Sequence, residues 1–82
     1  MLTYKEYLKI DSINFTETSG LRDFCEKYEV SGKIIDIGSG FGGGCRIMHC
    51  EFGLNPVGFE YLQGNVDIAN QISRDLGLPE MY

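Results

Sequence analysis

The chain has 82 residues, which is enough for one small domain at most. No apolar run approaches the roughly 20 residues of a membrane span, so we expect neither a membrane span nor secretion. Seven basic and twelve acidic residues give a net charge of -5, which disfavours a nucleic-acid or anionic-membrane surface. Cys25, Cys45 and Cys50 include no C-x-x-C pair, so we expect reduced thiols, a cytoplasmic location and no metal site.

The first elements in chain order are two predicted helices. Residues 1–20 are predicted to form an arm, in which a short helix near Tyr4 and Tyr7 continues as an extended, lid-like segment. The apolar residues of 21–28 recur with helical spacing, and Gly32 marks the predicted end of this second helix. The arm precedes a single partial domain that comprises the remainder of the chain, 21–82.

Two short apolar strands alternate with helices in that domain. Residues 33–37 are rich in β-branched side chains and predict a strand that is buried on both faces. A helix over 45–52 leads to a second strand at 57–60, and a further helix follows over 66–76. Alternating strands and helices predict parallel βαβ units, so we expect an α/β, Rossmann-like fold with flanking helices. Two strands make only the opening part of such a sheet, with one edge open and its apolar faces half covered.

Five glycines follow the first strand directly, at positions 38, 40, 42, 43 and 44. Glycine permits positive φ in a tight turn and lets a ligand approach the backbone, and the next helix offers free N–H groups. Ligands of open α/β sheets bind at this edge, where parallel strands end. The pattern therefore predicts a cofactor loop, formed by Gly38, Ser39, Gly40 and Gly42.

Two acids accompany this loop in the sequence. Asp36 lies two residues before the first glycine, and Glu60 follows the second strand. The glycines also satisfy G-x-G-x-x-G with an acid about 20 residues later, so an NAD(P)-dependent oxidoreductase stays open as an alternative. A carboxylate beside the loop would repel a pyrophosphate but attract the cations of S-adenosylmethionine, which we favour. Glu60 is expected to bind the ribose hydroxyls, and Tyr61 to lie against adenine.

Residues 33–76 resemble the start of class I S-adenosylmethionine-dependent methyltransferases. Residues 35–45, with the sequence IDIGSGFGGGC, are similar to the corresponding stretch of phosphoethanolamine N-methyltransferases, and so are segments 57–60 and 65–70. The resemblance implies N-methylation of phosphoethanolamine or a related phosphobase, with S-adenosylmethionine as the cofactor. Glu60 replaces the aspartate that is more usual in this group.

The same resemblance implies two sites in the arm and a missing remainder. Thr18 falls where the family places a cofactor contact, within an offset of one residue, and Tyr7 aligns with an active-site tyrosine. The methyl-acceptor site belongs to segments that this chain lacks. We therefore expect the 82 residues alone to be inactive, and a complementing methyltransferase segment to be a partner. A non-catalytic nucleoside-binding module is the third hypothesis.

For four further polar residues, the sequence favours a structural role over a functional one. Arg46 and Arg74 are expected to be solvated on their helices, and His49 to face solvent or a helix neighbour. Cys45 lies in the first turn of its helix, where the helix dipole lowers a thiol pKa, but packing beneath the glycine loop is its expected role.

Overall fold

The computed structural model of the chain describes residues 2–14 and 19–82. In chain order its elements are α1 (Tyr4–Asn14), α2 (Ser19–Lys27), β1 (Ile34–Ile37), α3 (Gly43–Phe52), β2 (Pro56–Phe59) and α4 (Gln63–Asp75). These four helices and two strands confirm the predicted α/β class. None of the helices in the described ranges is long and apolar enough to cross a membrane.

The two strands form a parallel pair that is joined by α3. Ile34 lies opposite Pro56, and Ile37 lies opposite Phe59. At the other edge of β2, the Gly58 amide donates to the Met81 carbonyl with an N···O distance of 2.6 Å. The predicted parallel βαβ unit is thus confirmed, and it is compatible with part of a Rossmann-like sheet.

One face of this sheet carries the core, and the other face is open. The buried apolar side chains come from α3, α4 and the C-terminal segment: Cys45, Ile47, Met48, Ala69, Ile72 and Met81. The opposite face exposes the large side chains of both strands, namely Ile35, Ile37, Val57 and Phe59. The expectation that β1 is buried on both faces is wrong, because its side chains alternate and helices cover only one side. The expectation of half-covered apolar faces is confirmed.

The N-terminal helix is longer than predicted, and the second helix is shorter. α1 continues to Asn14, whereas α2 ends at Lys27. Both helices contact the last turn of α3 through Glu51. Its carboxylate accepts a hydrogen bond from the Tyr4 hydroxyl at 2.8 Å. The Arg22 guanidinium donates to both oxygens of the same carboxylate, each at 2.9 Å. The described part of the predicted arm therefore contacts the end of α3 that is farthest from the glycine loop.

The predicted end of this helix at residue 52 is confirmed, because α3 ends at Phe52 with Gly53 as its C-cap. Gly53 has a φ of 69°, and its N–H donates to the carbonyl of His49. The Leu54 N–H reaches back six residues to the Met48 carbonyl, as in a Schellman motif. The His49 side chain turns to the same helix end, where Nδ1 lies 2.9 Å from the Leu54 carbonyl oxygen, so it contacts a helix neighbour as expected.

Candidate functional site

The glycine loop crosses the carboxyl end of β2. The N–H groups of Gly38 and Ser39 both donate to the Phe59 carbonyl, at 2.7 and 3.2 Å. These bonds continue the β1–β2 ladder into the loop, because Phe59 is the last residue of β2. The chain then turns through positive φ at three glycines, with angles of 74° at Gly38, 59° at Gly40 and 85° at Gly42. Any other residue would be strained there, which explains the spacing of the glycines.

Glu60 binds the loop directly. One carboxylate oxygen, Oε1, accepts the Gly40 N–H at 2.9 Å. The other, Oε2, accepts the Leu62 N–H at 2.9 Å and the Asn65 side-chain amide at 3.4 Å. The backbone N–H groups of Leu62 and Gly40 hold the pKa of Glu60 below its usual range. A carboxylate offers about four acceptor positions, so ligand hydroxyls would have to share or replace these internal donors.

Asp36 turns toward the first turn of α3 on the covered face of the sheet. The Cys45 thiol donates to its Oδ2 at 3.5 Å. Partial burial raises the pKa of Asp36, and the thiol hydrogen bond lowers it by less. A Cβ atom at Gly44 would lie 3.4 Å from Oδ2, so the glycine at this position admits the carboxylate to the start of the helix.

Cys45 is a buried thiol and not an activated one. Burial, followed by the neighbouring Asp36 carboxylate, raises its pKa to about 12. The expectation that the helix dipole lowers this pKa is wrong, because desolvation and a nearby negative charge outweigh the dipole. Packing beneath the loop, the other expectation for Cys45, agrees with its complete burial.

The first turn of α3 offers unbonded backbone donors. Its N-cap is Gly42, whose left-handed conformation comes with no side-chain hydrogen bond to the helix. The N–H groups of Gly43 and Gly44, the first two helical residues, have no acceptor within the helix. The helix dipole adds positive potential at the same point. This end of α3 can therefore bind a carboxylate or a phosphate group.

No basic side chain neutralises the two acids within residues 2–14 and 19–82, since neither Asp36 nor Glu60 forms an ion pair there. The expectation that Arg46 is solvated is wrong, because the side chain is fully buried and its Nη1 donates to the Phe41 carbonyl at 2.6 Å. Arg74 is exposed, as expected, and pairs with Glu80 at 2.6 Å.

The remaining predicted site residues have different surroundings. The Ser39 side chain is buried and faces inward, so that a Cβ atom at Gly58 would lie 2.8 Å from its hydroxyl oxygen. Tyr61 is 96% exposed and free to contact a ligand. The Tyr7 hydroxyl donates to Asp75 at 3.0 Å, at the last residue of α4. Thr18 lies outside the described residues.

Sequence reasoning missed Tyr82. Its ring lies against the loop and β2, and its hydroxyl donates to the Gly42 carbonyl at 3.0 Å. A Cβ atom at Gly58 would lie 2.6 Å from this ring, so β2 needs a glycine at that position. Burial raises the pKa of Tyr82 to about 12. The glycine in the middle of a strand was the available signal, because it often marks a close approach.

Within the described ranges, no three or more His, Cys, Asp and Glu side chains form a group that could hold a metal ion. All three cysteines are free thiols. The chain matches no protein-family model, and no curated protein matches it.

Proposed function

We propose that this chain is the S-adenosylmethionine-binding part of a class I methyltransferase with a Rossmann-like sheet. The observation that carries the proposal is the pair of acids, Asp36 and Glu60, which lack basic partners among the described residues and accompany a glycine loop where two parallel strands end. A ligand that brings both cations and a carboxylate complements these acids and the unbonded N–H groups of α3.

Each part of the cofactor has a proposed partner. Asp36 and the backbone of the glycine loop would hold the methionine tail, and Glu60 would bind the ribose by exchanging one of its internal hydrogen bonds. The exposed ring of Tyr61 would cover the adenine. The bound cofactor supplies the activated methyl group, so the protein's part is binding and orientation.

The methyl acceptor rests on the sequence resemblance alone. That resemblance favours phosphoethanolamine or a related phosphobase, with Tyr7 as a candidate active-site residue and Thr18 as a candidate cofactor contact, although the Tyr7 hydroxyl donates to Asp75 at the end of α4. The expected reduced cysteines favour a cytoplasmic location. The acceptor site would come from a complementing methyltransferase segment. We expect the 82-residue chain alone to show no methyl transfer, and turnover with an amine acceptor would contradict this part of the proposal.

A dinucleotide is the second candidate ligand. The first turn of α3, which no side chain caps, also suits a pyrophosphate, and the Asp36 carboxylate already accepts a hydrogen bond from the Cys45 thiol. NAD is therefore the competitor against which the proposal has to be tested.

Calorimetric titration with S-adenosylhomocysteine tests the proposal. Glu60→Ala should raise Kd roughly 5- to 150-fold, because a hydrogen bond to the ribose is lost. Glu60→Gln keeps one acceptor oxygen and should lose less. Glu26→Gln, a neutralisation at an exposed position of α2, is the matched control and should not change Kd. Tighter binding of NAD, or an unchanged Kd in Glu60→Ala, would overturn the proposal.

A further inference from the structure

Arg46 is an unusual residue for the inside of so small a protein. It is the fourth residue of α3 and has no exposed surface. Helical side chains lean toward the N-terminus of their helix. The guanidinium accordingly extends back to the glycine loop, where Nη1 donates to the Phe41 carbonyl at 2.6 Å.

The next carbonyl along the chain is also held from the protein interior. The Gly42 carbonyl oxygen accepts the backbone N–H of Arg46 at 2.9 Å and the hydroxyl of Tyr82 at 3.0 Å. Two consecutive carbonyl groups of the loop are thus bound by Arg46 and Tyr82. Phe41 lies between two glycines of positive φ, Gly40 and Gly42, and Gly42 directly precedes the first helical residue.

Stability alone does not account for a cation at this position. A buried charge loses its hydration, and an apolar side chain of similar volume is often no less stable. The positive end of the helix dipole also disfavours a cation in the first turns of a helix. What the arginine adds is a short, charge-assisted hydrogen bond to one loop carbonyl.

We propose that Arg46 is a positioning residue of the glycine loop, whose buried guanidinium fixes the Phe41 carbonyl so that the loop has its binding conformation before a ligand arrives. The effect on ligand affinity rests on the proposed cofactor function, whereas the effect on the loop itself does not. Arg46 touches no ligand in this account; its side chain acts through the Phe41 carbonyl and also neighbours the Tyr82 hydroxyl.

The test compares Arg46→Met with the conservative variant Arg46→Lys in the full chain. In ligand-free protein, the carbonyl ¹³C shift of Phe41 reports its hydrogen bond, and the exchange rates of the Gly40 and Gly42 amides report loop order. S-adenosylhomocysteine affinity and thermal unfolding are measured on the same samples. Arg46→Lys carries the test if Arg46→Met does not fold. Tyr82→Phe, which keeps the ring and loses the hydroxyl, measures separately what the bond to Gly42 contributes.

We expect Arg46→Met to shift the Phe41 carbonyl resonance upfield and to raise amide exchange in the loop about tenfold, with core amides of α3 unchanged. Affinity should fall by a similar factor, and Arg46→Lys should restore part of each effect. Tyr82→Phe should raise loop exchange in the same way. An unchanged Phe41 shift and unchanged loop exchange would overturn the proposal. It would also be overturned if Arg46→Met and Arg46→Lys lost equal affinity and these losses followed thermal stability alone. If wild type does not bind S-adenosylhomocysteine, the proposed function fails, while the carbonyl shift and loop exchange still decide the role of Arg46.

Discussion

Asp36 and Glu60 are acids at the same end of the sheet, yet their surroundings move their pKa values in opposite directions. Burial against the first turn of α3 raises the pKa of Asp36. Backbone N–H groups from Leu62 and Gly40 lower the pKa of Glu60. The shift of Glu60 favours its charged form, whereas the burial of Asp36 favours its neutral form. A cationic ligand beside the two acids would favour the charged form of both.

A titration followed by NMR tests the hydrogen bond between Glu60 and the loop. The Glu60 carboxyl resonance should titrate with a midpoint below its usual 4.5, and the Gly40 amide resonance should move with the same midpoint. Because the folded-state pKa is depressed, the stabilisation by Glu60 is present above the unfolded pKa and is lost as pH falls through the folded one. Glu60→Gln should remove this part of the pH dependence. A midpoint at or above 4.5 would contradict the assigned contact.

The three thiols should differ in reactivity. Cys50 is exposed, whereas Cys45 is buried beside a carboxylate and has a pKa of about 12. Thiolate is the reacting species, so alkylation of native protein near pH 8 should modify Cys45 last. Peptide mapping by mass spectrometry measures the order, with the denatured protein as the control. Early modification of Cys45 would contradict the buried thiol–carboxylate pair.

At the scale of the elements, Glu51 joins three helices. It accepts hydrogen bonds from Tyr4 of α1 and from Arg22 of α2, and its own position is in α3. Its side chain is about one third exposed, so the bonds are only partly screened by solvent. They fix α1 and α2 against the same helix that begins at the glycine loop.

Glu51→Ala should lower the free energy of unfolding by about 1 kcal/mol, because it removes three hydrogen bonds, two of them charge-assisted from Arg22. Glu80→Ala removes a more exposed pair with Arg74 and should cost less than about 0.5 kcal/mol. Urea denaturation measures both values, and amide exchange in α1 should rise only in Glu51→Ala. Equal costs in the two variants would show that Glu51 does not join the helices.

The sequence predicted the helices and strands better than it predicted the environments of individual side chains. Helical periodicity predicted the helices of the described residues, and short apolar runs predicted both strands, in the correct order. The glycine loop and Glu60 each follow a strand in the sequence, which predicted both at the strand ends. The burial of Arg46 could not be predicted, because hydrophobic periodicity assigns every charged residue to the exposed face of a helix. The partners of Glu60 could not be predicted either, because they are mainly backbone N–H groups, which every residue except proline carries. The role of Tyr82 could be seen only in the structure, where its ring lies against Gly58.

At the scale of the whole molecule, the helices that the structure describes lie on one side of the sheet. Parallel sheets normally bury both faces, which is why the β-branched residues of β1 predicted a fully buried strand. Here Ile37 is 85% exposed, while Ile47 of α3 is fully buried. The stability of the described structure therefore comes from the layer that α3 and α4 form against one face.

Two alanine substitutions compare these sides directly. Ile47→Ala should cost about 2–5 kcal/mol, because it leaves a cavity in the core. Ile37→Ala should change the free energy of unfolding by less than about 0.5 kcal/mol, because its side chain is already in contact with water. Denaturation at several protein concentrations separates folding from association. A large cost for Ile37→Ala that does not depend on concentration would show that the open face is covered.

The most direct measurement for the central claim is an NMR titration of the full chain with S-adenosylhomocysteine, in parallel with NAD. Our account predicts saturable shifts of the Gly38, Gly40 and Gly43 amides and of the Asp36 and Glu60 carboxyl resonances with S-adenosylhomocysteine, and much weaker shifts with NAD. If NAD alone moves these resonances, or if S-adenosylhomocysteine moves only residues remote from the strand ends, the acids do not form a site for a cationic nucleoside.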